Sequence, residues 1–140
     1  MTTLNTSSNA MKALVLNLLS THTYKMALMV PTFEFDNALH SGWADVSSGE
    51  IAAGNGYVAG GQELTNMVVT RDDVLNKAVA SFDPVRWDAS GGPIADTGSA
   101  IIYDSTDVDQ TIAGPSDFGL TYSTPSGEYI QFTTVQFLVA

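Results

Sequence analysis

Two histidines, His22 and His40, and fifteen acidic residues are the side chains with which this 140-residue chain could perform acid–base or metal chemistry. A zinc site would need both histidines and a carboxylate, yet neither stands in an HxxxH or HExxH spacing. Both therefore read as loop or surface residues, and no metal site is assigned. The chain has no cysteine, which removes thiolate ligands, thiol nucleophiles and disulfides together. No GxSxG elbow presents a serine. Carboxylate pairs for glycoside hydrolysis can be drawn from anywhere among so many acids, so they carry no information. One cluster stands apart: Asp104, Asp107 and Asp109, interleaved with Ser105 and Thr106, offer hard oxygens of the kind Ca²⁺ takes. They lack the glycine and closing glutamate of an EF-hand loop. A solvated turn is the expectation, and Ca²⁺ ligation the alternative.

The glycines raise one more chemical question. Gly54 to Thr70 (GNGYVAGGQELTNMVVT) places Gly54, Gly56, Gly60 and Gly61 ahead of a short apolar run. A phosphate cradle would need Lys-Ser or Lys-Thr after the glycines, or GxGxxG opening a helix, and neither is present. The stretch reads as a tight hairpin or crossover feeding a strand at Met67 to Val69, because glycine reaches φ > 0 without steric cost.

Composition narrows the class further. At 140 residues the chain fits one domain and buries roughly 68 % of its unfolded surface. Only 14 % of residues are charged, against about 25 % in an ordinary soluble protein. Thr, Ser, Asn and Gly replace them, a balance suited to β structure or to surfaces covered by partners. The net charge is −10, from 5 basic and 15 acidic residues. Such a field repels nucleic acid, whose binding rests on cations displacing counterions from phosphate, and favours partners with basic patches. No apolar run reaches the roughly 18 residues of a membrane-spanning helix, so no membrane partner is expected.

Residues 1–9 (MTTLNTSSN) are polar and aperiodic and read as an arm, followed by one domain over residues 10–140. Ala10 to Leu19 predicts a helix, with Ser7, Ser8 and Asn9 available as caps and Met11, Leu14, Val15 and Leu18 forming an apolar stripe. A short helix needs packing to persist, so it should cover one end of the core. A secretory h-region starting at Met11-Lys12 is the rival reading, but Asn17 interrupts it and no small-x-small site follows. Tyr24 to Val30 is apolar on both parities, which predicts a central strand closed by Pro31. A second short strand or an extended edge is expected at Phe33 and Phe35, a turn-rich segment at His40 to Gly49 with Trp43 and Val46 packing inward, and turn formers at Thr70 to Asn76. Further strands are expected at Lys77 to Phe82, at Val85 to Trp87, at Ala100 to Tyr103, at Gln110 to Ala113 and at Phe118 to Tyr122, with Asp88 to Ser99 a loop. Glu128 to Val139 shows apolar residues on both parities, so it sits mid-sheet or switches face at a bulge. Short strands at regular intervals predict a single β-sandwich or barrel with one helix.

Gly56-Tyr57, Ala59-Gly60-Gly61-Gln62, Leu64-Thr65-Asn66, Phe82-Asp83-Pro84-Val85-Arg86-Trp87 and Ala100-Ile101-Ile102-Tyr103-Asp104, in that order, resemble the capsid decoration (cement) proteins of tailed bacteriophages. The similarity starts at the helix and weakens past the acidic turn. This chain differs in having Thr97-Gly98-Ser99-Ala100 where relatives often carry Arg-Gly, and in a long loop after Asp88. The resemblance implies a mainly β protein, a jelly-roll-like antiparallel β-sandwich with one short N-terminal helix. It implies a homotrimer bound to the major capsid protein on the outside of the head, assembled in the host cytoplasm and stabilising the shell against genome pressure. No catalysis and no cofactor are implied. Contacts with the shell or between copies would fall on Leu4, Met11, Leu14, Leu18 and Trp43. Two other classes compete. One is a tail fibre or spike module that binds host-surface glycans through Trp43 or loop aromatics, and the other an acid-dependent glycosidase.

Overall fold

The structure, a computed structural model, describes residues 8–140; residues 1–7, and Leu4 with them, lie outside the described residues. The elements are α1 (Asn9–Leu18), β1 (Tyr24–Met29), α2 (Trp43–Val46), β2 (Gln62–Glu63), β3 (Val68–Asp72), β4 (Lys77–Phe82), β5 (Val85–Asp88), β6 (Ile94–Asp104), β7 (Ile112–Thr124), β8 (Tyr129–Phe132) and β9 (Val135–Val139). The protein is mainly β, every paired strand is antiparallel, and the short helix expected near the N-terminus is present. Three sheets form, ordered β2-β1-β6-β7, β3-β4-β9 and β5-β8. Sheets of four, three and two strands give a sandwich-like body; they do not by themselves establish jelly-roll connectivity.

Burial follows from which faces are covered. Tyr24, Met26, Leu28, Ala100 and Ile102 of the four-stranded sheet share one cluster with Phe82, Val85, Trp87, Ile130 and Val135 of the two smaller sheets. On the alternate parity, Ala27, Met29, Ile101 and Tyr103 are buried with Val46 beneath Phe33, Phe35 and Trp43. Both faces of β1 are thus covered, which is why its sequence is apolar without a break from Met26 to Met29. The helix α1 packs Ala13 and Leu16 onto Ala78 and Ala80 of β4, where small side chains let it approach closely. Met67 and Phe137 touch this cluster and the main core alike, so α1 extends the core at one end.

Local chemistry sets several boundaries that differ from the sequence reading. The Oγ of Ser8 accepts the Met11 amide at 3.2 Å, so the helix opens at Asn9 and ends at Leu18. The segment from Thr70 begins as strand, because Thr70, Arg71 and Asp72 pair with Val79, Ala78 and Lys77. Only residues 73–76 turn, and Asp72 Oδ1 accepts the amides of Val74 and Leu75 to form it. The second half of the expected Asp88 to Ser99 loop is strand, because β6 starts at Ile94 opposite Thr124. The two strands expected at Gln110 to Ala113 and Phe118 to Tyr122 are one strand, β7, whose register with β6 jumps between Thr97↔Tyr122 and Ser99↔Asp117. Pro115 is tolerated there because β7 is an edge strand.

Segment 128–139 is two strands in two sheets. β8 pairs with β5 and β9 with β4, with Thr133 and Thr134 between them. Ile130 and Val135 both reach the same core from opposite parities, since the break resets the alternation. No strand forms at Phe33 and Phe35; both rings instead lie half-buried over the outer face of the four-stranded sheet. A second helix, α2, appears inside the segment read as turns. Asp45 Oδ2 accepts the amides of Ser41 at 3.0 Å and Gly42 at 3.1 Å, fixing its first turn, and these bonds hold the Asp45 carboxyl below its usual range.

Candidate interaction surface

The helix α1 is apolar on both sides. Its inner side, Ala13 and Leu16, is buried, while Met11, Leu14, Val15 and Leu18 are 50 %, 49 %, 42 % and 69 % exposed. The stripe expected to anchor the helix is therefore its outer face. Packing chose the opposite side because Ala78 and Ala80 leave space for Leu16, and Lys12 lays its stem along the protein. Lys12 Nζ donates to the carbonyl of Asn76 at 2.7 Å, and Asn9 Nδ2 donates to Asp73 Oδ1 at 3.0 Å. These two bonds bracket the β3–β4 turn and hold it beside the helix. Val74 and Leu75 at its tip are 89 % and 63 % exposed. The result is an apolar surface built from the outer stripe of α1 and the turn next to it. Exposed apolar patches of this kind mark places where partners bind.

A furrow adjoins this surface. Edge strands β7 and β9 face one another without a hydrogen-bonded ladder, leaving a cleft of about 560 Å³ floored by Ala100, Ile102, Phe118, Phe132 and Phe137. A second hollow of about 410 Å³, shared with Val15, Leu16 and Leu19, continues it toward α1 through Ala113, Phe137 and Leu138. Sequence reasoning misses the furrow because it is a gap between strand ends, not a motif.

The structure brings Met11, Leu14 and Leu18 together and places Trp43 elsewhere. Trp43 lies in the cluster on the outer face of the four-stranded sheet, half-buried and stacked on Tyr103 with ring centroids 4.5 Å apart at 10°. Tyr103 Oη donates to the Gly60 carbonyl at 2.6 Å, and burial pushes its hydroxyl up to about 12. Glu50 accepts the Gly60 amide at 2.8 Å, and burial raises its carboxyl above the ordinary value. One face of Trp43 is thus occupied by Tyr103.

The groups weighed for chemistry are engaged in structure. His22 Nδ1 lies 2.5 Å from Asp104 Oδ2. Asp104 is 7 % exposed, not solvated as expected, and its Oδ1 accepts the amides of Thr106 and Asp107. Asp107 turns to the hydroxyl and amide of Thr111, which lower its pKa. The acidic turn is a hydrogen-bonded loop, and among the described residues no three acidic or histidine side chains gather to hold a metal. His40 Nδ1 accepts the Asp36 amide at 3.0 Å and its ring stacks on Phe33. Comparison with family models, curated proteins and solved structures finds no match to this chain.

Proposed function

We propose that the protein is a structural component of a bacteriophage virion, a capsid decoration (cement) protein that binds the outside of the head at subunit junctions and stabilises it against genome pressure. The sequence resemblance described for Gly56 to Asp104 motivates this reading, and one observation carries it: the only long helix among the described residues leaves Met11, Leu14, Val15 and Leu18 uncovered. Each such side chain is already about half covered, so docking adds only part of the roughly 1.5–3 kcal/mol that complete burial of an apolar side chain contributes. A stripe of four beside the Val74-Leu75 tip therefore supplies a contact that strengthens when several copies bind together. The partners of this reading are the major capsid protein and further copies of the chain in a homotrimer, with Leu4, Met11, Leu14 and Leu18 as contacts. The acidic balance, 15 acids against 5 bases, suits a shell surface that presents basic groups.

Titration onto undecorated heads tests the reading. Saturable binding at a fixed number of sites, with raised resistance of the heads to heat or pressure, is expected. Absence of binding with unchanged head stability overturns it.

A further inference from the structure

We propose that His40 is a pH-sensitive clasp on the segment 33–40, closed while its imidazole is neutral and opened when the ring is protonated. A backbone N–H can only donate, so the Asp36 amide, 3.0 Å from His40 Nδ1, requires a lone pair on that nitrogen. An imidazolium carries a proton on both ring nitrogens and has no lone pair to offer. The bond therefore exists in one protonation state alone. His22 supplies the contrast, because its Nδ1 lies 2.5 Å from Asp104 Oδ2, an acceptor, and that contact persists when the ring is charged. Of the chain's two histidines, only His40 makes a contact that protonation forbids.

Packing sets what the clasp fastens. The His40 ring stacks on Phe33 with centroids 5.9 Å apart at 21°, and lies tilted against Phe35 at 5.6 Å and 52°. Those two phenyl rings lie over Ala27, Met29, Ile101 and Tyr103 on the outer face of the four-stranded sheet. The other bonds of the segment do not depend on the ring's charge. Phe33 donates its amide to the Val30 carbonyl, Asp36 Oδ1 accepts the amides of Ala38 and Leu39, and the Asp36 carbonyl accepts that of His40. Protonation thus releases the Asp36 amide and turns the ring while the turn itself stays formed. The charged groups that face His40 are Asp36 on its own segment and Asp45 on α2. Glu34 lines the cavity that holds Asp117, and the sheet beneath offers apolar side chains and the Tyr103 hydroxyl, which is engaged by Gly60. Both carboxylates attract an imidazolium and draw its N–H groups away from the amide. The phenyl faces attract it too, so the ring turns between them without leaving.

The test is NMR of the full chain between about pH 8 and about pH 5, the interval in which histidine changes charge. At the upper end the ring nitrogen shifts should report an unprotonated Nδ1 at His40, unlike that of His22. As pH falls, the Asp36 amide and the ring protons of Phe33 and Phe35 should move with the midpoint of the His40 ring. Hydrogen exchange at Asp36, corrected for its intrinsic rate, should rise about two- to tenfold, as loss of one hydrogen bond implies. His40→Phe keeps a ring against the phenyls and removes the acceptor; it should show the released Asp36 amide at every pH and abolish the titration of Phe33 and Phe35. A protonated Nδ1 at His40 at the upper end, an Asp36 amide that does not follow the His40 midpoint, or a titration that survives His40→Phe overturns the proposal.

Discussion

Leu28 donates its amide hydrogen to the hydroxyl oxygen of Tyr57 at 3.0 Å, so a side chain completes the edge of β1 where β2 has ended. β2 pairs with Lys25 and Met26 alone. Beyond it, Ile51 donates to the Leu28 carbonyl and Val30 to the Gly49 carbonyl, and the Tyr57 hydroxyl takes the remaining donor. Tyr57 is 2 % exposed and its ring lies beside Trp87. Tyr57→Phe leaves a buried backbone N–H without an acceptor and should cost about 1–3 kcal/mol in urea denaturation. An unchanged midpoint would show that the hydroxyl does not seal this edge.

The two sides of α1 should respond oppositely to substitution. Leu16→Ala empties a position that is 1 % exposed against Ala78 and Ala80, and is expected to destabilise by about 2–5 kcal/mol. Leu14→Asp and Leu18→Glu alter half-exposed positions and should each cost about 1 kcal/mol, well short of Leu16→Ala. The same two changes should abolish binding to heads. Retained head binding would remove the outer stripe from the interface.

Two glycines are fixed by close approach as well as by backbone. Asn55 and Gly56 have φ of 57° and 106°, and Gly54 and Tyr57 exchange both backbone hydrogen bonds, the pattern of a two-residue type I′ hairpin. A Cβ on Gly56 would stand 2.0 Å from the Asp88 carbonyl oxygen, and one on Gly61 equally close to that of Met26. Gly127 also has positive φ, but open space surrounds it. Gly127→Ala should therefore cost about 1–2 kcal/mol from conformation alone, and Gly56→Ala or Gly61→Ala distinctly more. Equal losses measured by thermal unfolding at all three positions would refute the close-approach argument.

Alkaline stability should be governed by buried tyrosines. Burial pushes the hydroxyls of Tyr24 and Tyr103 up to about 12, and that of Tyr57 in the same direction. The folded state thus holds these protons more tightly than the unfolded chain, whose tyrosines ionise near 10. Their contribution to stability is complete below pH 10 and is lost as pH rises from 10 toward 12. Unfolding midpoints measured across that window should fall with pH. Tyrosine absorbance titrating fully near pH 10 in folded protein would contradict this.

The class of fold is legible in local pattern. Alternation in Lys77 to Phe82, two-sided apolarity in Tyr24 to Val30 and glycine punctuation at Gly54 to Gly61 each report a backbone geometry that neighbouring residues impose on one another. The continuous apolar run at β1 also announces coverage on both faces, because a half-exposed strand would alternate. Failures cluster where the decisive partner is distant in sequence. Segment 128–139 reads as one strand, and its division between β5 and β4 depends on which strands have room for it.

The candidate surface divides in the same way. Residue types alone place an apolar helix at α1 and identify Met11, Leu14 and Leu18 as a stripe. Which side of that helix faces inward is set by Ala78 and Ala80, more than sixty positions later. The unpaired Ser99 hydroxyl is likewise absent from any motif, since its surroundings form only once β6 and β7 have paired and the 33–37 segment has folded beside them. The sequence by itself determined composition, strand-forming pattern and turn chemistry, all consequences of covalent geometry and nearest neighbours. Tertiary structure alone decided which apolar face is buried and which polar group goes unpaired, because both depend on the shapes that distant segments present to each other.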